Sequence, residues 1–247
     1  MKLCKNEANF CDNFYSRKSF RRFFCAFFLN LVKFCMEIFL DAFDIEQIRK
    51  YRPFLRGITT NPLIISKSVD NQSDFYEKLQ SILSTFPDLL INLQVTKPDA
   101  DGMIAEAAKI AEFSPNMIVK IPLTFEGLKA IKEVSKMQIP INGTLCFSLI
   151  QAKMAEDSGV KYISPFLGRM EDSGEDIASF VDKLVKSVSG AKILAASIRT
   201  ARHLEIVTQA KCAAFTCSQS VLDNIFDNNL LVGGLVSFQE ANKFSFL

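Results

Sequence analysis

MIVKIPLTFEGLKAIKEVSKMQIPINGTL, residues 117–145, holds two kinds of periodicity in one short span. Met117 to Ile121 is an apolar, β-branched run broken only by Lys120, as in a strand buried on both faces. Thr124 then offers a hydroxyl to the first unpaired N–H groups of a helix, and Leu128, Ile131 and Val134 recur on one face of that helix. At Ile139 the pattern returns to a strand, IPINGTL, running to Leu145. Strand, helix and strand joined this closely make a βαβ unit, which links parallel strands.

The same rhythm extends in both directions. Further strands are expected at Glu37 to Asp41 (EIFLD), in the short GIT around Ile58, at Leu89 to Val95 (LLINLQV), Lys161 to Pro165 (KYISP), Lys192 to Ser197 (KILAAS) and Ala213 to Cys217 (AAFTC). Between the third and fourth strands, Ala100 to Phe113 places Met103, Ala107, Ile110 and Ala111 on one helical face, and Thr200 can cap a helix after the seventh. Eight βα units in the 212 residues from Met36 fit a compact α/β fold, a single (β/α)8 TIM barrel. An open doubly wound sheet is the alternative. No GxGxxG follows a strand and no GxxxxGK[ST] occurs, which argues against a nucleotide-binding version of it.

Of the chain's 247 residues, 49% are apolar and 23% charged, and the net charge is +2; these values exclude disordered, collagen-like and coiled-coil classes and give no case for a nucleic-acid binder. The average conceals a division. Residues 1–35 carry +5, with eight of the 23 Phe and four of the seven Cys, whereas residues 36–247 carry −3. Phe23 to Val32, preceded by Arg17, Lys18, Arg21 and Arg22, has the charge order of a signal or membrane-surface segment. It lacks a small-x-small cleavage site and is shorter than the roughly 20 residues needed to span a bilayer. The expectation is that residues 1–35 form an extension outside the native protein, with Met36 as its start and 36–247 as the barrel domain. A targeting role, with membrane contact only if the extension is real, is the alternative. Seven scattered cysteines without CxxC spacing fit a reducing compartment, and a cytoplasmic location is expected.

Barrel enzymes work at the C-terminal ends of their strands. The polar residues there are Asp41, Asn61, Gln94, Lys120, Asn142 with Thr144, Arg169, and Ser197 with Arg199. Lys120 sits where its ammonium is poorly solvated, and desolvation lowers a lysine pKa toward the free amine that attacks carbonyls. It is a Schiff-base candidate, against a lysine that snorkels outward or pairs with Asp41. Asp41 reads equally as a general acid/base or as the cap of the next helix. Arg169, Ser197 and Arg199, on consecutive loops, suit a phosphate, Arg199 as a solvated helix-start residue being the alternative. His203, the single histidine, makes a histidine-rich metal site or a Ser/His/Asp triad unexpected, and it is expected on a partly exposed helix face.

Taken together, LDA, GITTNP, VKIPLTFEGLKAI, SPFLGR and AASIRT resemble the transaldolase family, in particular its short branch with the fructose-6-phosphate aldolases. The resemblance runs from Met36 to about Phe244 and leaves residues 1–35 unmatched. It implies a (β/α)8 barrel and class I aldol chemistry with no metal and no cofactor, a transferase of the pentose phosphate pathway acting on sugar phosphates. By it, Lys120 is the Schiff-base lysine, Asp41 moves the C4 hydroxyl proton, and Thr144 holds the catalytic water. Asn61, Asn142 and Ser164 bind substrate, while Arg169, Ser197 and Arg199 form the sugar-phosphate site. Gln94 stands where transaldolases have glutamate and the aldolases glutamine; Phe166 stands where transaldolases have phenylalanine and the aldolases tyrosine. Phe166 favours transfer, with cleavage to free dihydroxyacetone as the alternative and an inactive sugar-phosphate-binding barrel as a lesser one. Short members form rings through a C-terminal helix, so the resemblance implies a homo-oligomer with Leu235 to Phe244 as the contact helix, unless that helix closes the barrel bottom of its own subunit.

Overall fold

The computed structural model describes residues 36–227 and 229–242, so the expectations for residues 1–35 and for Phe244 lie outside it. Strands β1 (Glu37–Asp41), β2 (Leu55–Thr59), β3 (Leu90–Gln94), β4 (Met117–Pro122), β5 (Ile141–Cys146), β6 (Tyr162–Pro165), β7 (Lys192–Ile198) and β8 (Ala214–Cys217) pair in sequence order. All pairs are parallel, and β8 returns to β1, closing the barrel. The helices are α1 (Ile45–Tyr51), α2 (Pro62–Ser66), α3 (Gln72–Thr85), α4 (Ala100–Glu112), α5 (Phe125–Lys136), α6 (Leu149–Asp157), α7 (Leu167–Asp172), α8 (Ile177–Ser187), α9 (Ala201–Gln209), α10 (Gln219–Phe226) and α11 (Asn229–Ala241). The expected strands therefore stand, with small changes at their ends. β2 is longer than GIT because a 3-10 turn at Arg52–Phe54 delivers Leu55 directly into pairing with Ile38.

Local chemistry starts the helices where the sequence places the caps. Thr124 Oγ1 accepts from the Gly127 N–H at 3.0 Å, and Thr200 Oγ1 from the His203 N–H at 3.3 Å. Asp44, rather than Asp41, caps α1 by accepting from the Gln47 N–H at 3.0 Å, which removes the capping reading of Asp41.

Two apolar cores result. The larger lies between barrel and helices and includes Ile58, Leu79, Met103, Ala107, Ile131 and Val134. The smaller fills the barrel: Phe39, Leu90, Ile118, Tyr162, Leu194 and Ala214. Residues two apart on a strand share a face, so each lumen residue determines what stands one step above it. Asp41 follows Phe39, Asn92 follows Leu90, Lys120 follows Ile118, Ser164 follows Tyr162 and Thr216 follows Ala214. The polar site therefore rests on an apolar plug. Phe39 and Tyr162 meet edge to face within it at 5.7 Å. Below the plug, Glu37 accepts from Tyr162 Oη at 2.8 Å and from Lys192 Nζ at 2.7 Å.

α11 buries none of its described side chains, and Leu230, Leu235 and Phe238 are exposed. Among the described residues, no helix is long and apolar enough to cross a membrane.

Gly127 lets α5 approach the end of β4: an added Cβ would lie 1.8 Å from the Pro122 carbonyl oxygen. Gly127→Ala is expected to cost about 1–3 kcal/mol in urea unfolding by forcing α5 off the strand. An unchanged midpoint would show that the helix has room to shift.

Candidate active site

Lys120 is 3% exposed, and its Nζ donates to the Thr60 carbonyl oxygen at 2.8 Å. Neither alternative from the sequence holds, since the side chain does not reach solvent and its hydrogen bond goes to a backbone carbonyl rather than to Asp41. Burial lowers its pKa from 10.5 to about 8, and the charge of Asp41 only partly opposes the shift. At pH 7 about a tenth of the amine is then neutral, against about three in ten thousand for an unperturbed lysine.

Asp41 ends β1, and its carboxyl is pushed above the ordinary range by burial, with the charge of Lys120 and a hydrogen bond from Thr59 opposing the rise. Thr59 Oγ1 donates to Asp41 Oδ1 at 2.8 Å and lies 2.6 Å from Thr216 Oγ1. A carboxylate only accepts, so Thr59 gives its one proton to Asp41, and Thr216 donates to Thr59. Both hydroxyls are buried and aim the carboxylate from β2 and β8.

A second polar chain crosses the barrel. Ser164 Oγ donates to Asn142 Oδ1 at 2.8 Å, Asn142 Nδ2 to Asn92 Oδ1 at 3.0 Å, and Asn92 Nδ2 to the Ile58 carbonyl at 3.1 Å. This chain fixes which face each amide presents. Gln94 and Asn142 stand opposite Lys120 on the flanking strands, and Thr144 stands opposite Ser164. The Thr144 hydroxyl is buried with no hydrogen-bond partner among the described residues. Asn61 lies at the rim, where its Oδ1 caps α2 by accepting from the Ile64 N–H at 3.1 Å, leaving its amide N–H2 for other partners.

At the mouth, the Phe166 ring centroid is 6.0 Å from Lys120 Nζ and 5.2 Å from the Arg169 guanidinium carbon, so the aromatic face bridges the amine and the outer arginine. Ser197 adopts a left-handed φ of 57° at the end of β7. Arg199, exposed, pairs with Asp172 at 2.7 Å. Gly168 allows α7 to meet this loop: a Cβ there would lie 2.5 Å from Arg199 Nε and 2.6 Å from the Ser197 carbonyl oxygen.

One expectation is corrected. His203 is fully buried rather than partly exposed, because Glu171 on α7 supplies a partner for its Nε2 at 2.8 Å and its Nδ1 accepts from the Arg199 N–H at 3.3 Å. Asn92, Thr59, Thr216 and Gly168 belong to the site's framework, and the sequence pattern does not single them out. Asn92 and Gln94, two apart in one strand, are the available signal, since alternation puts both on the lumen face.

A polar barrel end built around a buried lysine and an aspartate is matched by a family described as Transaldolase/Fructose-6-phosphate aldolase, over residues 38–245. The chain belongs to that family. It is 36% identical over 210 residues to a probable transaldolase of Nitrosopumilus maritimus, covering 82% of this chain and 93% of that one. To a probable transaldolase of Streptococcus equi subsp. zooepidemicus it is 39% identical over 211 residues, covering 83% and 97%. It is therefore an enzyme of the transaldolase type. Two solved structures resemble it at 12% identity and so bear on the fold alone. One is the carboxyl transferase domain of Rhizobium etli pyruvate carboxylase with 3-hydroxypyruvate, with a TM-score of 0.55, covering 74% of this chain and 40% of that one. The other carries the description native KDPGal structure, with a TM-score of 0.51, covering 76% and 84%.

A buried charged lysine costs the transaldolase-type barrel stability. Lys120→Met is expected to raise stability at pH 7 by roughly 1–3 kcal/mol in urea unfolding. The folded lysine loses its proton near pH 8 and the unfolded one near 10.5, so between these values the unfolded chain binds more protons and wild-type stability rises with pH. Lys120→Met should lack that rise. A wild-type curve no steeper than that of the variant across this window would contradict the assignment.

Proposed function

We propose that this protein moves a dihydroxyacetone unit from a ketose phosphate, sedoheptulose 7-phosphate or fructose 6-phosphate, to an aldose phosphate through a Schiff base on Lys120. The observation that carries this is the buried amine of Lys120, with its pKa lowered to about 8, inside a polar ring that includes Asp41. The neutral amine attacks the C2 carbonyl of the ketose, and loss of water from the carbinolamine gives an iminium. Asp41 takes the C4 hydroxyl proton as the C3–C4 bond breaks, and the bonding electrons move into the iminium. The aldose departs and an enamine remains on Lys120. The enamine carbon then bonds to the acceptor's aldehyde carbon, which restores the iminium, and Asp41 returns its proton to the new alkoxide. Water adds to the iminium to release the product ketose and the Lys120 amine.

The surrounding groups suit this sequence of steps. Thr144, whose hydroxyl has no partner among the described residues, holds the water that enters and leaves with the Schiff base, and Gln94 orients it. Asn142, Ser164 and the amide of Asn61 bind substrate hydroxyls, Asn142 with its orientation fixed by Ser164 and Asn92. Arg169, Ser197 and Arg199 receive the phosphate at the mouth. Phe166 puts an aromatic face beside Lys120 and offers no hydroxyl to deliver a proton to the enamine, which waits for an acceptor.

The second reading is a fructose-6-phosphate aldolase that releases free dihydroxyacetone, and Gln94 favours it. Incubation with fructose 6-phosphate alone separates the two. Glyceraldehyde 3-phosphate release beyond one equivalent per active site is expected to require erythrose 4-phosphate, and Phe166→Tyr is expected to raise this acceptor-free turnover at least severalfold. Multiple-turnover cleavage by the wild type without an acceptor, with free dihydroxyacetone accumulating, would establish the second reading.

The exposed apolar residues Leu230, Leu235 and Phe238 of α11 support a homo-oligomer formed through this helix, in a cytoplasmic enzyme. Light scattering should give a multiple of the chain mass for the full protein and a smaller species after truncation before Asn229. The same number of subunits in the two would assign the interface elsewhere.

A further inference from the structure

His203 is fully buried, yet it is outside the reacting layer and takes no part in the Schiff-base chemistry. Its two ring nitrogens have different partners. Nδ1 accepts from the Arg199 N–H at 3.3 Å, so in the neutral ring the proton belongs to Nε2, which donates to Glu171 Oε2 at 2.8 Å. The imidazole thus joins two segments that are distant in sequence: the end of β7 with Ser197 and the Arg199 that follows it, and helix α7, which carries Arg169 two residues before Glu171. A second tie runs in parallel, from the Arg199 guanidinium to Asp172 on the same helix. That pair is about half exposed on both sides and contributes little, whereas the His203 ring is shielded from water. Gly168 leaves the space that lets the two segments close together.

We infer that His203 and Glu171 are positioning residues that hold Arg169 and Arg199 in register as one phosphate clamp. This rests on the phosphate reading of Arg169, Ser197 and Arg199. The ring holds the Arg199 backbone by its N–H, so the residue keeps its place beside α7 when its guanidinium exchanges Asp172 for a phosphate, and Glu171 fixes the ring. Loss of either partner frees the two arginines to move independently, which weakens phosphate binding and leaves the Schiff-base chemistry of Lys120 in place.

The test compares fructose 6-phosphate with unphosphorylated fructose, with erythrose 4-phosphate as acceptor. His203→Phe is expected to raise KM for fructose 6-phosphate about tenfold, with kcat within about twofold and the kcat/KM for fructose unchanged. Glu171→Leu should do the same from an exposed position, and Glu171→Gln, whose amide oxygen still accepts from Nε2–H, should restore most of the affinity. Equal losses on both sugars in both Glu171→Leu and His203→Phe would overturn the inference in favour of a general structural role. Arg199→Ala separates the two levels. If it removes the preference for the phosphorylated sugar while His203→Phe and Glu171→Leu do not, the positioning inference alone fails; if it leaves that preference intact, the phosphate reading fails and the inference with it.

Discussion

An ammonium group inside a parallel barrel must either be matched by fixed dipoles and counter-charges or give up its proton. Here Lys120 has one backbone carbonyl at hydrogen-bond distance and Asp41 acting through space, which is too little to hold the charge fully. The same burial raises the carboxyl of Asp41, so the two groups move toward each other on the pH scale and both come nearer to neutral. A partly neutral amine beside a carboxyl held above its ordinary range is what carbonyl condensation and retro-aldol cleavage call for. The remaining polar residues of the barrel end support this one electrostatic condition.

The support is layered. Beneath, the plug of Phe39, Ile118 and Tyr162 withholds water from Lys120. At its level, hydroxyls from β2 and β8 aim Asp41, and the Ser164–Asn142–Asn92 chain fixes amide orientation. Above, Phe166 lies beside the amine and under Arg169. On β1, β3, β4, β6 and β8 the plug and the polar level above it are alternate residues of one strand, so the geometry that makes the barrel stable also stacks the site on its core.

Much of this is legible in the sequence because strand period and helix period are local. KIPL with Thr124 announces a strand end and a helix start, and the Lys120 position comes directly from it. Other features depend on contacts distant along the chain. Thr59 and Thr216 read as ordinary strand residues until barrel closure sets them 2.6 Å apart. His203 lies on the first turn of α9, and its burial depends on Glu171, a residue 32 positions earlier that nothing in its own helix announces. Asp41 reads equally as a cap because an aspartate before a helix usually is one; Asp44, three residues on, takes that task.

The proposed transfer depends on one covalent event at Lys120. Incubating the enzyme with fructose 6-phosphate and sodium borohydride, followed by peptide mass mapping, observes it directly. A reduced adduct confined to the peptide containing Lys120, and absent in Lys120→Met, is the expected result. No adduct, or one of equal yield at other lysines and in the variant, would contradict the Schiff-base role.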